Sequence, residues 1–452
     1  MGDRVITLKS HLSRWRHGGW RRSGARPLVR AERNRRRRWA GAATAVGVVC
    51  FIGAACGRAA DDSELVYEEN GVRIVPSQRP AWGDGDGWRV SEEPALVIGE
   101  ATDDPRYLFS TIFEGRYPDG RIGNNHGVGP YKLPDGLIAV GDKEAVAVRF
   151  YDENGQFVRA AMRQGQGPAE LPALGELHHC EPGLLAAIGG GLLAVIDGQG
   201  DVLGSHFFVA NAGRRLHKPL ACNRDGRLLA MDRGQTLSAE RATTGGYERS
   251  IVHILLLDID GTIVRDFGEF PGVDLSLYPG GSMARPLGNY TALALTSERA
   301  FIGTADEFEI QVWSLEGTLQ QRWSRPTGDL SFDEDDIEAF LNEDPSDSPQ
   351  WLAVEFLRGA PASALREVLP ETLPTYSRFV VDATDHLWVE HYRFVAREPH
   401  LWSIFAPDGS WLGEVEVPST FDVTDIGRDY VLGVYRDELA EQSVRLYRLI
   451  RG

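Results

Sequence analysis

GPYKLPDGLIAVGDKEAVAVRFYDENGQFVRAAM, residues 129–162, contains four short runs rich in Val, Ile and Phe. Asp135-Gly136 separates the first run from the second, and Asn154-Gly155 the third from the fourth. Asp-Gly and Asn-Gly between alternating apolar runs are strong hairpin signals, because the tight turn puts both central residues at positive φ. The stretch therefore predicts a four-stranded antiparallel meander.

The pattern recurs, and a repeat settles architecture before any local assignment. Turns of the first kind fall at Pro182-Gly183, Asp225-Gly226, Glu298-Arg299, Asp385 and Arg428-Asp429. Turns of the second kind fall at Gln199-Gly200, Asp260-Gly261, Glu316-Gly317 and Asp408-Gly409. This makes five complete units and a sixth, ending in SVRLYRLI (443–450), that lacks its fourth strand. An unpaired sheet edge invites aggregation, so ALVIG, residues 95–99, is expected to supply the missing strand. The prediction is an all-β fold over 95–452: a six-bladed β-propeller of four-stranded antiparallel blades, closed by an N-terminal strand. Such a fold grows by adding blades rather than by thickening one core, which accommodates 452 residues. A short helical insertion is expected within 327–376, where Ile337, Phe340 and Leu341 stand at helical spacing.

LPDGLIAVGD, VRFYDENGQF, QGQGPAEL (164–171) and the run from RFVVDATDHLWVEHYR to GVYRDEL (378–439) together resemble the bacterial six-bladed β-propellers of the NHL-like group. The resemblance covers residues 95–452. It implies the fold and no particular activity, since the architecture hosts many.

Upstream, charge is sharply segregated. Residues 1–38 carry 13 Lys and Arg against two acids, residues 39–56 carry no charge, and residues 57–452 carry 35 basic and 63 acidic residues. The order of Arg35-Arg36-Arg37-Arg38, an apolar stretch and Gly53-Ala54-Ala55-Cys56 is that of an export signal. It resembles a bacterial lipobox, departing from it at Gly53, and makes Cys56 the expected lipidated residue. An uncleaved membrane anchor and a soluble secreted form are the alternatives. Residues 57–94, acidic and rich in Gly and Pro, read as a tether; Asp84 and Asp86 within it have no further ligands in register for a cation. The expected location is the bacterial cell envelope, outside the cytoplasm. There Cys180 and Cys222, which precede first-kind turns in consecutive units, are expected to form a disulfide; two buried thiols are the alternative.

Catalytic signatures are sparse. GxSxG, HExxH, CxxC and GxxxxGK[ST] are all absent. LLLDIDGTI (255–263) matches the nucleophile motif of haloacid-dehalogenase-type phosphatases, yet Asp260-Gly261 falls where the other units have a hairpin turn. His178-His179-Cys180 lies on a strand, where neighbouring side chains alternate between faces, so the three are not expected to share a metal. The acidic body excludes a nucleic-acid partner.

Every long connection, at 163–174, 233–250, 269–289, 327–376 and 391–400, falls on one face of the propeller, and binding residues concentrate on such loops. The ligand contacts expected there are Arg163, Glu170, Arg285, Arg378, Glu390, His391, Arg393 and Arg436, with His400 close to Glu390-His391. The leading expectation is a monomeric, membrane-anchored binding or scaffold protein for a protein, peptide or glycan, with no metal or other cofactor. The alternative is a propeller hydrolase or lyase with an axial calcium or zinc site, for which Asn125, His126, Asp142, Glu390 and His391 are the candidates near strand ends.

Overall fold

The computed structural model describes residues 66–452 apart from 84, 100–103, 108–127, 181–182, 208–215, 224–225, 233–245, 279–280, 343–364, 366–367, 395–398 and 440. Cys56, Asn125 and His126 lie outside the described residues. The described residues are almost wholly β and propeller-like, a series of mostly four-stranded antiparallel sheets.

Three strands precede the repeats: β1 (Tyr67–Glu69), β2 (Val72–Pro76) and β3 (Arg89–Ile98). Sheet 1 comprises β4 (Tyr131–Lys132), β5 (Ile138–Asp142), β6 (Ala147–Tyr151) and β7 (Phe157–Ala161). A small parallel pair follows, β8 (Arg163–Gln164) with β9 (Glu170–Leu171). Sheet 2 comprises β10 (Glu176–Cys180), β11 (Leu184–Gly189), β12 (Leu192–Ile196) and β13 (Val202–Phe207). Sheet 3 has five strands: β14 (Leu216–Cys222), β15 (Leu228–Asp232), β16 (Gly246–Leu257), β17 (Ile263–Tyr278) and β18 (Gly281–Ala284). Sheet 4 holds β19 (Ala292–Leu295), β20 (Arg299–Gly303), β21 (Glu309–Ser314) and β22 (Leu319–Ser324). After helix α1 (Glu334–Asn342) comes sheet 5, with β23 (Tyr376–Val381), β24 (Leu387–His391), β25 (His400–Phe405) and β26 (Trp411–Val417). Sheet 6 is β27 (Phe421–Ile426), β28 (Tyr430–Arg436) and β29 (Gln442–Ile450), with β3 as its outer strand. In that pairing Val444 stands opposite Ile98 and Leu446 opposite Leu96.

The turn chemistry follows the sequence. Gly136, Gly155, Gly200, Gly226, Gly261, Gly317 and Gly409 all adopt positive φ. Gly409 has a second constraint, because an added Cβ would lie 2.4 Å from Nε1 of the buried Trp323. LLLDIDGTI is a hairpin: Asp258 N–H donates to Thr262 O, and the strand before the turn pairs antiparallel with the one after it.

Two expectations are corrected. Residues 57–94 are not a plain tether. β2 lies parallel along β22, Val75 is 3% exposed there, and Ser77 N–H donates to Ser324 O. The alternation in Val72-Arg73-Ile74-Val75 suits a strand laid on an existing edge, and β3 begins at Arg89 rather than 95. Nor are 233–250 and 269–289 simply loops. β16 and β17 run on past the sheet as one long hairpin, and β18 adds to its end. The 327–376 insertion does carry a helix. Asp333 caps it by accepting from the N–H groups of Asp335 and Asp336. Ile337 and Phe340 are buried, and Phe340 stacks on Phe394 at 5.5 Å.

The first strands of successive sheets neighbour one another from β10 through β14, β19, β23 and β27 to β4. A side-chain bond crosses each junction, and its chemistry changes from each junction to the next. Tyr131 Oη donates to Leu177 O between sheets 1 and 2 (2.9 Å), and the Cys180–Cys222 disulfide joins sheets 2 and 3, with Cα atoms 5.0 Å apart. Asn223 Nδ2 donates to Thr296 O between sheets 3 and 4 (3.2 Å), and Tyr290 Oη, just before β19, donates to Ser377 O between 4 and 5 (2.5 Å). Arg378 donates to Val423 O between 5 and 6 (2.7 Å), and Thr424 Oγ1 donates to Pro130 O between 6 and 1 (2.7 Å).

Candidate functional site

The side chains expected to contact a ligand are engaged with the protein itself. Arg378, 2% exposed at the start of β23, places Nε 2.6 Å from Glu390 Oε2 at the end of β24, and its guanidinium lies over Trp402. Glu390, 3% exposed, also accepts from Ser377 Oγ and meets His400 Nδ1. Burial by itself would raise the Glu390 pKa, but Arg378 and then His400 hold the carboxyl well below the usual carboxylate range. Burial lowers the pKa of the Arg393 guanidinium, while Glu390 and Asp422 counter this. Arg436 pairs with Asp422 at 3.0 Å. The network thus joins sheets 5 and 6.

His391 points the other way, as strand alternation requires. Its Nε2 shares a hydrogen bond with Ser403 Oγ (2.8 Å), and its ring meets Phe308 edge-on. Arg285 donates to Val368 O and Leu369 O and sits 3.8 Å from the Tyr247 ring centroid. Arg163 pairs with Glu170, which also accepts from Gly167 N–H. Of the axial candidates, Asp142 pairs with Arg149 and accepts from two turn N–H groups. Among the described residues no group of three or more His, Cys, Asp or Glu is placed to hold a metal ion.

Burial, followed by Arg325, pushes the His391 pKa down to about 4 from 6.5. A depressed histidine is neutral in the fold, so its contribution to stability is complete above pH about 6.5 and is lost as pH falls from there through about 4. The loss is on the order of 2–3 kcal/mol. Urea midpoints measured from pH 7 to 4.5 should fall for the parent and fall less for His391→Gln; equal slopes would remove His391 from the account.

None of the eight expected residues lines the cavity at the other end of the sheets. That cavity has a volume of about 460 Å³, and residues within 131–134, 178–179, 221–223, 293–297, 379–385 and 424–430 line it. These segments come from the first strands of all six sheets and the tight turns that follow them. Leu293, Leu295, Phe379, Val381 and Ile426 give it apolar walls. Asp425 Oδ2 accepts from Lys132 N–H and Tyr430 Oη, both at 2.9 Å, and the Lys132 ammonium stands 4.8 Å from the Tyr430 ring centroid. Asp382, at the base of a turn, accepts from Trp388 Nε1 and Arg451. Burial opposes its ionisation, but His386 and Thr384 bring its pKa down to about 2. His178 is buried with Nε2 3.4 Å from Glu176. The ring of His179 lies 5.9 Å from that of Tyr131, and its Nε2 is buried without a hydrogen-bond partner. His178 and His179 thus both line the cavity, although neighbours on a strand take opposite faces. Each first strand is the edge of its sheet, so residues from both of its faces reach the cavity.

No known family profile matches the chain, and no curated protein resembles it in sequence. Among solved structures it is similar to a member of the DUF4221 family from Bacteroides vulgatus, at 12% identity and a TM-score of 0.46, covering 81% of this chain and 99% of that one. A Bacteroides fragilis protein provisionally named as exported is similar at 13% identity and a TM-score of 0.43, covering 84% and 99%. Virginiamycin B lyase from Staphylococcus aureus is similar at 11% identity and a TM-score of 0.33, covering 70% and 78%. What this chain does has to be read from its own residues.

Proposed function

We propose that the chain is an exported, lipid-anchored binding protein, built as a closed six-bladed NHL-like propeller, whose ligand sits in the axial cavity. The observation that carries this reading is a cavity of about 460 Å³ to which the first strand of each sheet contributes. Its size suits a small organic molecule or one end of a peptide or glycan, and its walls combine apolar side chains with a few fixed polar groups. Six chemically bonded junctions hold those walls, so the site is preformed and little ordering cost opposes binding. The loop-side network of Arg378, Glu390 and Arg393 serves as a brace between sheets.

A thermal-shift screen of small molecules on the full chain tests this. Hits should compete for one site and should be lost in Ser297→Trp, which plugs the cavity while the half-buried position 297 tolerates the ring. Arg163→Ala should leave them unchanged. Hits that survive Ser297→Trp and vanish in Arg163→Ala would return the site to the loop end.

Anchoring rests on Cys56. Among the described residues no helix is long and apolar enough to cross a membrane. In a bacterial host, Cys56→Ala is expected to move the protein from the membrane fraction to the soluble envelope fraction and to remove the mass of the acyl groups. Unchanged partitioning and mass would refute lipidation.

A further inference from the structure

The turns that rim the cavity carry more acid than base. Asp385 lines the cavity directly; Asp135 follows the lining residue Pro134, Glu298 follows Ser297, and Asp429 precedes Tyr430. All four are exposed, and they come from sheets 1, 4, 5 and 6. Asp385, Glu298 and Asp429 form no ion pair among the described residues. The cations beside them are Lys132, whose ammonium stands over the Tyr430 ring, Arg299, which donates to Pro407 O, Arg227, which pairs with Asp258, and Arg428. Deeper in, Asp382 is already neutralised by Arg451, while Asp425 accepts only from a backbone N–H and a phenol among its described hydrogen bonds, so its charge is not balanced by a direct ion pair. Carboxylates from separate sheets around one concavity with low-dielectric walls focus a negative potential into it. Below the rim the walls are apolar, and the buried Nε2 of His179 lacks a partner.

We infer that the cavity binds a small organic cation, a protonated amine attached to an apolar body. This rests on the cavity being the binding site. The ammonium lies at the carboxylate rim beside Asp385, clear of the Lys132 ammonium that already covers the Tyr430 ring, and the body lies against Leu293, Leu295 and Phe379. Anionic ligands are repelled at the mouth. Neutral ones of the same shape gain the apolar contact without the charge term.

The probes are 3-phenylpropylamine, 3-phenylpropanol and 3-phenylpropionate, titrated into the full chain by calorimetry at low and high salt. The amine should bind at least tenfold more tightly than the alcohol, the carboxylate should not bind, and the amine's affinity should fall as salt rises. The double variant Asp385→Asn, Asp429→Asn should weaken the amine about tenfold and leave the alcohol unchanged. Both positions are exposed turn residues, so folding is retained. Alcohol and amine of equal affinity, both lost in Ser297→Trp, would overturn the cationic class and leave the cavity as the site. Amine binding that persists in Ser297→Trp would overturn the cavity itself. Absence of binding by all three probes would overturn the inference.

Discussion

Deleting residues 58–98 is expected to abolish cooperative folding, whereas deleting 58–76 is expected to lower the melting temperature by a few degrees and leave the fold in place. β3 is the outer strand of sheet 6, hydrogen-bonded along the last strand of the chain. Its apolar side chains serve two cores. Ile98 and Leu96 pack with Val148, Phe150 and Val444, and Val90 packs with the Trp388, Trp402 and Tyr447 cluster. Losing it exposes the edge of β29 and opens both cores, a cost comparable with the ~5–15 kcal/mol that stabilises a typical domain. β2 only extends sheet 4, and burying Val75 together with the backbone pairing of β2 along β22 is worth about 2–3 kcal/mol. Circular dichroism melts of the two deletions decide the matter; a 58–98 deletion that melts like the parent would show that β3 is dispensable.

Glu390→Gln is expected to destabilise the protein by about 3–5 kcal/mol, because it leaves the Arg378 guanidinium buried without its counter-charge. The pair lies at 2.6 Å with both side chains nearly inaccessible to water. Arg393 and His400 also face Glu390, so the deficit is shared by three cationic or protonatable groups. Adding Arg378→Met to Glu390→Gln should recover a large part of the loss, since replacing both members of a buried pair is far cheaper than removing one. Urea denaturation of the two variants measures both effects. A single variant within 1 kcal/mol of the parent would mean that the network does not hold sheets 5 and 6 together.

Much of the fold was legible because its signals are local. Asp135-Gly136 and Asn154-Gly155 mark turns through backbone conformation alone, and the run 443–450 without a partner pointed to a strand donated from 95–99. β1 and β2 were missed. VRIVP is short, lies among acids and prolines, and becomes a strand only because the edge of β22 is available. The outer part of the hairpin formed by β16 and β17 lies beyond the repeat, so the sequence pattern gives it no strand signal. The axial cavity, the site proposed above, was the least legible part. Loop length directed attention to Arg378 and Glu390, whose charges are spent on each other. The cavity is formed by residues more than 250 positions apart, such as Lys132 and Asp425. A usable signal did exist: each first-kind turn marks where a first strand ends, and the residues just before those turns are the ones that meet at the axis.

Repetition makes assembly ambiguous. Sheets of similar outline could pack in the wrong order, close as a ring of different number, or be exchanged between two chains while burying similar apolar area. The bonds across the six junctions reduce that ambiguity, because the donor changes from each junction to the next. The guanidinium of Arg378 donates to Val423 O, the amide of Asn223 donates to Thr296 O, and the disulfide joins sheets 2 and 3. The axis thus works as an address code that tells each blade which neighbour is its own. One letter of that code, the Cys180–Cys222 disulfide, can be written only in an oxidising compartment.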